Sequence, residues 1–285
     1  MTDDPKTLVS TDWLAAHLDD PNLIILDGSY HMPATGRSGH EEYLAAHLPR
    51  AQFFDIDEIS ENTSKLPHMA PSPDDFAARV GALGVGDDTQ VVVYDDSDVR
   101  SAARVWWTFR LMGIDRVAVL DGGLAKWRAE GRPLQAGPVP AARRSLTVHP
   151  QPQRVRSSAE VAAASKDDDY QIIDARSAER FRGDVPEPRP GLRAGHIPNA
   201  RNVPFSRLFG PDGTMKPAPD LRAAFDAAGV DPARHAITSC GSGITASVLA
   251  LALARMGRDD WSLYDGSWTE WGGLPELPIA TGDED

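Results

Sequence analysis

The chain holds a single cysteine, Cys240, in 285 residues. One thiol excludes an internal disulfide and any paired-cysteine redox motif, and it suits a reducing cytoplasm. Positive charge is scarce: 29 Lys and Arg stand against 42 Asp and Glu, a net charge of −13 with a pI of about 5.0. Nucleic acid and anionic membranes are therefore not expected partners. An anionic substrate would need a local basic site against this background. No apolar run approaches the ~20 residues of a membrane span. The start, Met1-Thr2-Asp3-Asp4-Pro5-Lys6, is acidic and polar and lacks a signal-peptide pattern. The histidines and acids show no metal-ligand spacing, and no Gly-rich nucleotide fingerprint is present, so neither a metal nor a cofactor is expected. What remains is the composition of a soluble globular protein, 41% hydrophobic and 25% charged, long enough for one large or two ordinary domains.

The order of elements repeats. In the first half, a helix is expected over Thr11 to Leu18, capped by Ser10 or Thr11, then a buried strand at Leu23-Ile24-Ile25-Leu26 ending at Asp27. A short helix follows near Glu41–Ala46, then His47-Leu48-Pro49, a helix from Pro73 to Leu83 and a Val-rich strand from Gln90 to Tyr94. Ser101 to Met112 reads as a helix, Val117 to Leu120 as a strand, and a last helix carries Lys126-Trp127-Arg128. The second half returns to the same landmarks. Asp174 follows Asp27 by 147 residues (174 − 27), His196 follows His47 by 149 (196 − 47), and Asp265 follows Asp121 by 144 (265 − 121). Near-constant offsets argue for two copies of one α/β unit. Alternating strands and helices imply a mainly parallel sheet with helices on both faces in each copy. The expected domains are 1–137 and 155–285, joined by a Pro-rich linker over 138–154. The acidic end Gly282-Asp283-Glu284-Asp285 is expected to fray.

The decisive stretch is Ile237-Thr238-Ser239-Cys240-Gly241-Ser242-Gly243-Ile244-Thr245-Ala246. Ala236 to Thr238 reads as a strand and Ala246 to Met256 as a helix. A tight glycine loop between strand and helix aims backbone N–H groups at an anion. A thiolate there also gains from the helix dipole, roughly 0.3–1 kcal/mol and up to ~2 when partly buried. A lone cysteine is ordinarily a small buried hydrophobe. Two glycines and two hydroxyls within five residues favour a nucleophile in an anion-cradling loop instead. The repeat fails at this place: Asp95 stands where the second copy has Cys240, an offset of 145 (240 − 95). The first copy should thus be structural, or lend residues to a cleft.

At this point the chain resembles the two-domain rhodanese-type sulfurtransferases over nearly its whole length. The resemblance rests on Tyr43-Leu44-Ala45-Ala46-His47-Leu48-Pro49, Trp106-Trp107, the Asp121-Gly122-Gly123 turn and Tyr264-Asp265-Gly266-Ser267-Trp268-Thr269-Glu270-Trp271. Arg50 departs from the pattern, where glycine is usual, and so does Trp261, at a place normally small. Members that use thiosulfate, a dianion, typically carry basic residues right after the cysteine. Gly241 and Ser242 are neutral, so the resemblance implies the branch whose donor is the monoanionic α-keto acid 3-mercaptopyruvate. Thiosulfate is the alternative donor, and a non-enzymatic sulfur-sensing or binding module the alternative role. A cysteine phosphatase or arsenate reductase is disfavoured, because Thr245 and Ala246 close the loop where such enzymes place an arginine.

The resemblance further implies roles. Cys240 would be the nucleophile, with the loop from Gly241 through Gly243 and Ile244 to Thr245 around its sulfur. Arg180 and Arg189, nine positions apart, would grip the donor carboxylate, which a guanidinium holds bidentately. Asp57, His68 and Ser242 would form a proton-handling array. The acceptor would be an external thiol, thioredoxin or a small thiol, or cyanide, and the protein a monomer. The other conspicuous residues have plainer readings. His47 and His196 are structural, Asp27 and Asp174 hold loops, and the tryptophans pack the core and domain contacts.

Overall fold

The computed structural model describes residues 2–283. Met1, and Glu284 and Asp285 of the acidic end, lie outside the described residues.

The first copy runs β1 (Leu8–Val9), α1 (Thr11–His17), β2 (Leu23–Asp27), α2 (Gly39–Ala45), β3 (Gln52–Phe53), α3 (Pro73–Ala82), β4 (Gln90–Tyr94), α4 (Ala102–Leu111), β5 (Val117–Leu120) and α5 (Gly123–Ala129). The second runs β6 (Val155–Arg156), α6 (Ser158–Ala164), β7 (Tyr170–Asp174), α7 (Ala178–Arg182), β8 (Ala200–Asn202), α8 (Ala218–Ala227), β9 (His235–Ser239), α9 (Ala246–Arg255), β10 (Trp261–Tyr264) and α10 (Ser267–Trp271). Each copy forms a five-stranded sheet, ordered β1-β5-β4-β2-β3 and β6-β10-β9-β7-β8. Every strand pairing is parallel. The two sheets have the same order, so the repeat read from landmark spacing is a repeat of topology.

Local chemistry explains the elements. Ser10, Ser38, Ser72 and Ser157 each accept a backbone N–H of the first turn of the helix they precede, the interaction that makes serine a favoured N-cap. The central strands are covered on both faces and so carry buried apolar runs. Val91, Val92 and Val93 of β4 are fully buried, as are Ala236 and Ile237 of β9. One core gathers Leu14, Ile25, Tyr43, Val92, Leu120 and Trp127. A second gathers Val161, Ile172, Phe181, Ile237, Trp268 and Trp271.

The chain divides by contacts into two units that do not simply follow the sequence. Unit 1 is 1–63, 70–151 and 210–215; unit 2 is 64–69, 152–209 and 216–285. Most of the Pro-rich stretch thus packs on unit 1, where the N–H groups of Arg144 and His149 donate to the carbonyls of Gly81 and Met112 at 2.8 and 2.9 Å. Gly210–Met215 also belongs to unit 1. There the Met215 N–H donates to the buried carboxylate of Asp121 at 2.7 Å. Ser64–Met69, with His68, packs in unit 2 although it lies in the first half of the sequence.

Candidate active site

β9 ends at Ser239, α9 begins at Ala246, and Cys240 to Thr245 make the turn between them. The turn is held open by its carbonyls. Trp268 N–H donates to the Cys240 carbonyl at 2.9 Å. Thr269 donates twice to the Gly241 carbonyl, through its N–H at 2.9 Å and its hydroxyl at 2.6 Å. Ser247 Oγ donates to the Gly243 carbonyl at 3.0 Å. With three carbonyls tied back onto α9 and α10, the N–H groups are left to face an anion. Gly243 N–H already donates to Cys240 Sγ at 3.1 Å. Those of Gly241, Ser242, Ile244 and Thr245 meet no acceptor among the described residues. α9 adds the positive end of a ten-residue helix with no side-chain cap. Gly243 has φ 82°, the left-handed region that glycine enters without a Cβ penalty.

Ser267, at the start of α10, fixes the base of the loop. Its Oγ accepts the Cys240 N–H at 3.2 Å and donates to the Tyr264 carbonyl at 2.8 Å. The residue is fully buried and has φ 49°. A non-glycine residue in this region costs of order 1–3 kcal/mol and persists only when its surroundings impose it. Cys240 is itself buried, 2% exposed. Buried position alone would suit an inert thiol, but this one is ringed by polar donors.

Both expected arginines reach the loop. A Cβ on Gly241 would stand 3.2 Å from Nη2 of Arg180, so the guanidinium lies directly against the loop backbone. Arg189 Nη2 lies 3.5 Å from Ser242 Oγ. Behind them is a charge ladder not recognised from the sequence. The Glu187 side chain, 2% exposed, takes Arg180 Nη2 at 2.5 Å and Arg176 Nη1 at 2.9 Å. Arg176 is buried, pairs with Asp174 at 2.7 Å, donates to the Gly195 carbonyl at 2.8 Å and stacks over Trp268, 4.3 Å from the ring centre. Asp174 accordingly serves a salt bridge and a turn, as its place at a strand end suggested.

The remaining expectations divide between the units. Ser242 is buried beside Cys240. His68 is buried in unit 2, on a left-handed backbone with φ 59°. Asp57 is an exposed residue of unit 1. His47 and His196 are fully buried. His47 faces two carbonyls, those of Leu48 and Gly137, at 2.8 and 2.9 Å. His196 faces the carbonyl of Phe181 at 2.8 Å and stacks on its ring.

The counterpart of the cysteine loop in unit 1 holds its own anion. Asp95 follows β4 as Cys240 follows β9, and Leu124 N–H donates to the Asp95 carbonyl at 3.0 Å as Trp268 does to that of Cys240. The Asp95 carboxylate accepts the N–H of Ala102, first residue of α4, at 2.6 Å and that of Ser97 at 3.2 Å. Burial pushes its pKa up to about 6, against those two N–H groups and the charge of Arg100.

A strand-loop-helix cysteine site on one of two duplicated parallel α/β units defines a protein built from rhodanese-like domains. The chain belongs to that family: the rhodanese-like domain model matches residues 10–130 and 157–274. It is 44% identical over 272 residues to a 3-mercaptopyruvate sulfurtransferase of Escherichia coli, spanning 95% of this chain and 96% of the relative. Over 297 residues it is 44% identical to the mitochondrial thiosulfate/3-mercaptopyruvate sulfurtransferase 1 of Arabidopsis thaliana, spanning 97% of this chain and 78% of that one. The crystal structure of SseA, one of the 3-mercaptopyruvate sulfotransferases, from Escherichia coli, is similar with a TM-score of 0.84 at 42% identity, covering 92% of this chain and 98% of SseA. Among the described residues no cluster of His, Cys, Asp and Glu could hold a metal ion, and no helix is long and apolar enough to cross a membrane.

Proposed function

We propose that this sulfurtransferase moves sulfane sulfur from 3-mercaptopyruvate to a thiol or cyanide through a Cys240 persulfide, releasing pyruvate. The observation that carries this reading is the loop itself: a thiol that accepts a backbone N–H, with further N–H groups unspent around it and two arginines alongside. Arg180 and Arg189 hold the donor carboxylate and turn its sulfur toward Cys240. The thiolate attacks that sulfur. An S–S bond forms as the C–S bond breaks, and the electron pair passes to the enolate of pyruvate. The proton carried in on the donor thiol ends on the enolate carbon, handled by Ser242 with His68 and Asp57. The persulfide then rests among the N–H groups from Gly241 to Thr245, which stabilise its charge without reorganising. An external thiolate, of thioredoxin or a small molecule, takes the outer sulfur and regenerates Cys240. Splitting one transfer into two covalent steps is what the nucleophile contributes. The protein works as a monomer in the cytoplasm.

Thiosulfate is the second donor to consider, since the relative from Arabidopsis thaliana is named for both. Neutral Gly241 and Ser242 favour the keto acid. The test is steady-state transfer from each donor to cyanide, with mass spectrometry of the donor-treated protein. We expect preference for mercaptopyruvate, one added sulfur on Cys240, and neither transfer nor added sulfur in Cys240→Ser. A donor-treated wild type without that sulfur would sink the persulfide step.

A further inference from the structure

Arg180 and Arg189 stand at the same loop, yet their charges are not equivalent. Arg180 shares a buried carboxylate: Glu187 binds its Nη2 at 2.5 Å and its Nε at 3.3 Å. Glu187 cannot turn away, because its Oε1 also accepts Arg176 Nη1 at 2.9 Å. Arg176 in turn is anchored by Asp174, the Gly195 carbonyl and the face of Trp268. The ladder Asp174, Arg176, Glu187, Arg180 alternates in sign and sums to zero. Arg189 has only the Ser242 hydroxyl as a side-chain partner, with no carboxylate in ion-pair reach among the described residues. The site therefore offers two guanidinium forks for geometry and about one net positive charge for attraction.

We propose that Glu187 is a specificity-determining residue: by neutralising Arg180 from behind, it makes the cysteine loop select monoanionic over dianionic sulfur donors. The inference rests on the proposed sulfur-transfer reading and adds to it the part that sets the donor class. Its physical basis is simple. Coulomb energy scales with donor charge, so the Glu187 carboxylate opposes a dianion such as thiosulfate twice as strongly as a monocarboxylate at the same distance. The effect is strong here because the carboxylate is buried and poorly screened. Glu187 also holds Arg180 in place, but holding alone would affect both donors alike.

The discriminating experiment is kcat/KM for 3-mercaptopyruvate and for thiosulfate in the wild type and in Glu187→Gln, with cyanide as acceptor. Glutamine keeps the shape and one acceptor oxygen for the guanidinium groups, and removes the charge together with the second acceptor. The ratio of thiosulfate to mercaptopyruvate efficiency should rise roughly tenfold, as expected for one unscreened charge near a binding site. Where thiosulfate turnover is too slow to follow, its inhibition constant against mercaptopyruvate should fall by a similar factor. An equal loss for both donors, leaving the ratio unchanged, would reduce Glu187 to a structural role and overturn the proposal. Should the glutamine variant not fold, Glu187→Asp serves. Its carboxylate is withdrawn from Arg180 by one methylene, so the ratio must still rise, by less, and a constant ratio again overturns the proposal. Failure of the wild type to transfer sulfur from either donor would instead remove the functional reading on which this one stands.

Discussion

The Thr269 hydroxyl donates to the Gly241 carbonyl at 2.6 Å, so the loop that carries the nucleophile is clamped from the start of the last helix. Thr269→Val keeps the shape and the backbone bond and deletes only this one. Loss of a hydrogen bond to a part-buried carbonyl costs about 1 kcal/mol. Sulfur transfer should fall by about fivefold to tenfold while the far-ultraviolet dichroism is unchanged, and a urea titration should show the matching drop in midpoint. Full activity in this variant would mean that the backbone bonds alone hold the loop.

Arg189 stands beside Ser242 of the cysteine loop with no carboxylate in ion-pair reach among the described residues. Replacing it by alanine should raise KM for mercaptopyruvate by about tenfold to a hundredfold, in the range for a lost charge-assisted contact. Stability should hardly change, because no buried carboxylate is left behind. An unaltered KM would remove Arg189 from the site.

Arg176 predicts the opposite pattern. Its removal would leave the buried carboxylate of Asp174 without a cation and Glu187 with Arg180 alone, and an uncompensated buried charge typically costs about 3–5 kcal/mol. Arg176→Met should therefore lower the thermal midpoint sharply, whatever it does to the rate. Calorimetry decides it: a shift of only a degree or two would mean the ladder contributes little to the fold.

Asp95 gives a pH signature. Its carboxyl titrates near 6 in the folded protein, above its ordinary value of 3.8. Between those values the folded state binds more protons than the unfolded state, so stability falls as pH rises through the window. At about 1.4 kcal/mol per pH unit the loss approaches ~3 kcal/mol by neutral pH. Asp95→Asn keeps an acceptor for the Ala102 N–H and escapes the loss. The variant should gain on the wild type steadily in denaturation experiments from pH 4 to pH 7 and run parallel above. A constant difference across that range would assign the wild-type pH dependence to other groups.

Much of this was legible in the chain. β4 and β5 lie where their valines placed them, and α3, α4 and α9 differ from expectation by a residue or two at their ends, whereas α8 was not foreseen. Long apolar runs and serine caps are local signals. The strands β1, β3, β6 and β8 were not recognised, because two or three residues carry no periodicity. Cys240 and its glycines stood out as a strand-loop-helix turn, and Asp95 by the offset of the repeat. Glu187 was hidden because its partners, Arg176 and Arg180, lie eleven and seven positions away across a loop with no fixed geometry. Ser267 was hidden too, since nothing in its neighbours announces a serine forced to φ 49°. Arg50 is the converse: it replaces the usual glycine, yet the backbone still adopts φ 64° there, and its guanidinium donates to the Leu18 carbonyl at 2.5 Å.

A carboxylate that cannot leave occupies the cradle of unit 1, and this fixes how the whole chain counts. Two loops at equivalent places in the repeat will titrate as one. Donor, product analogue or alkylating reagent should saturate at a single equivalent per polypeptide, and the binding curve should be hyperbolic, with no second class of sites to distort it. Duplication here has doubled the architecture without doubling the capacity.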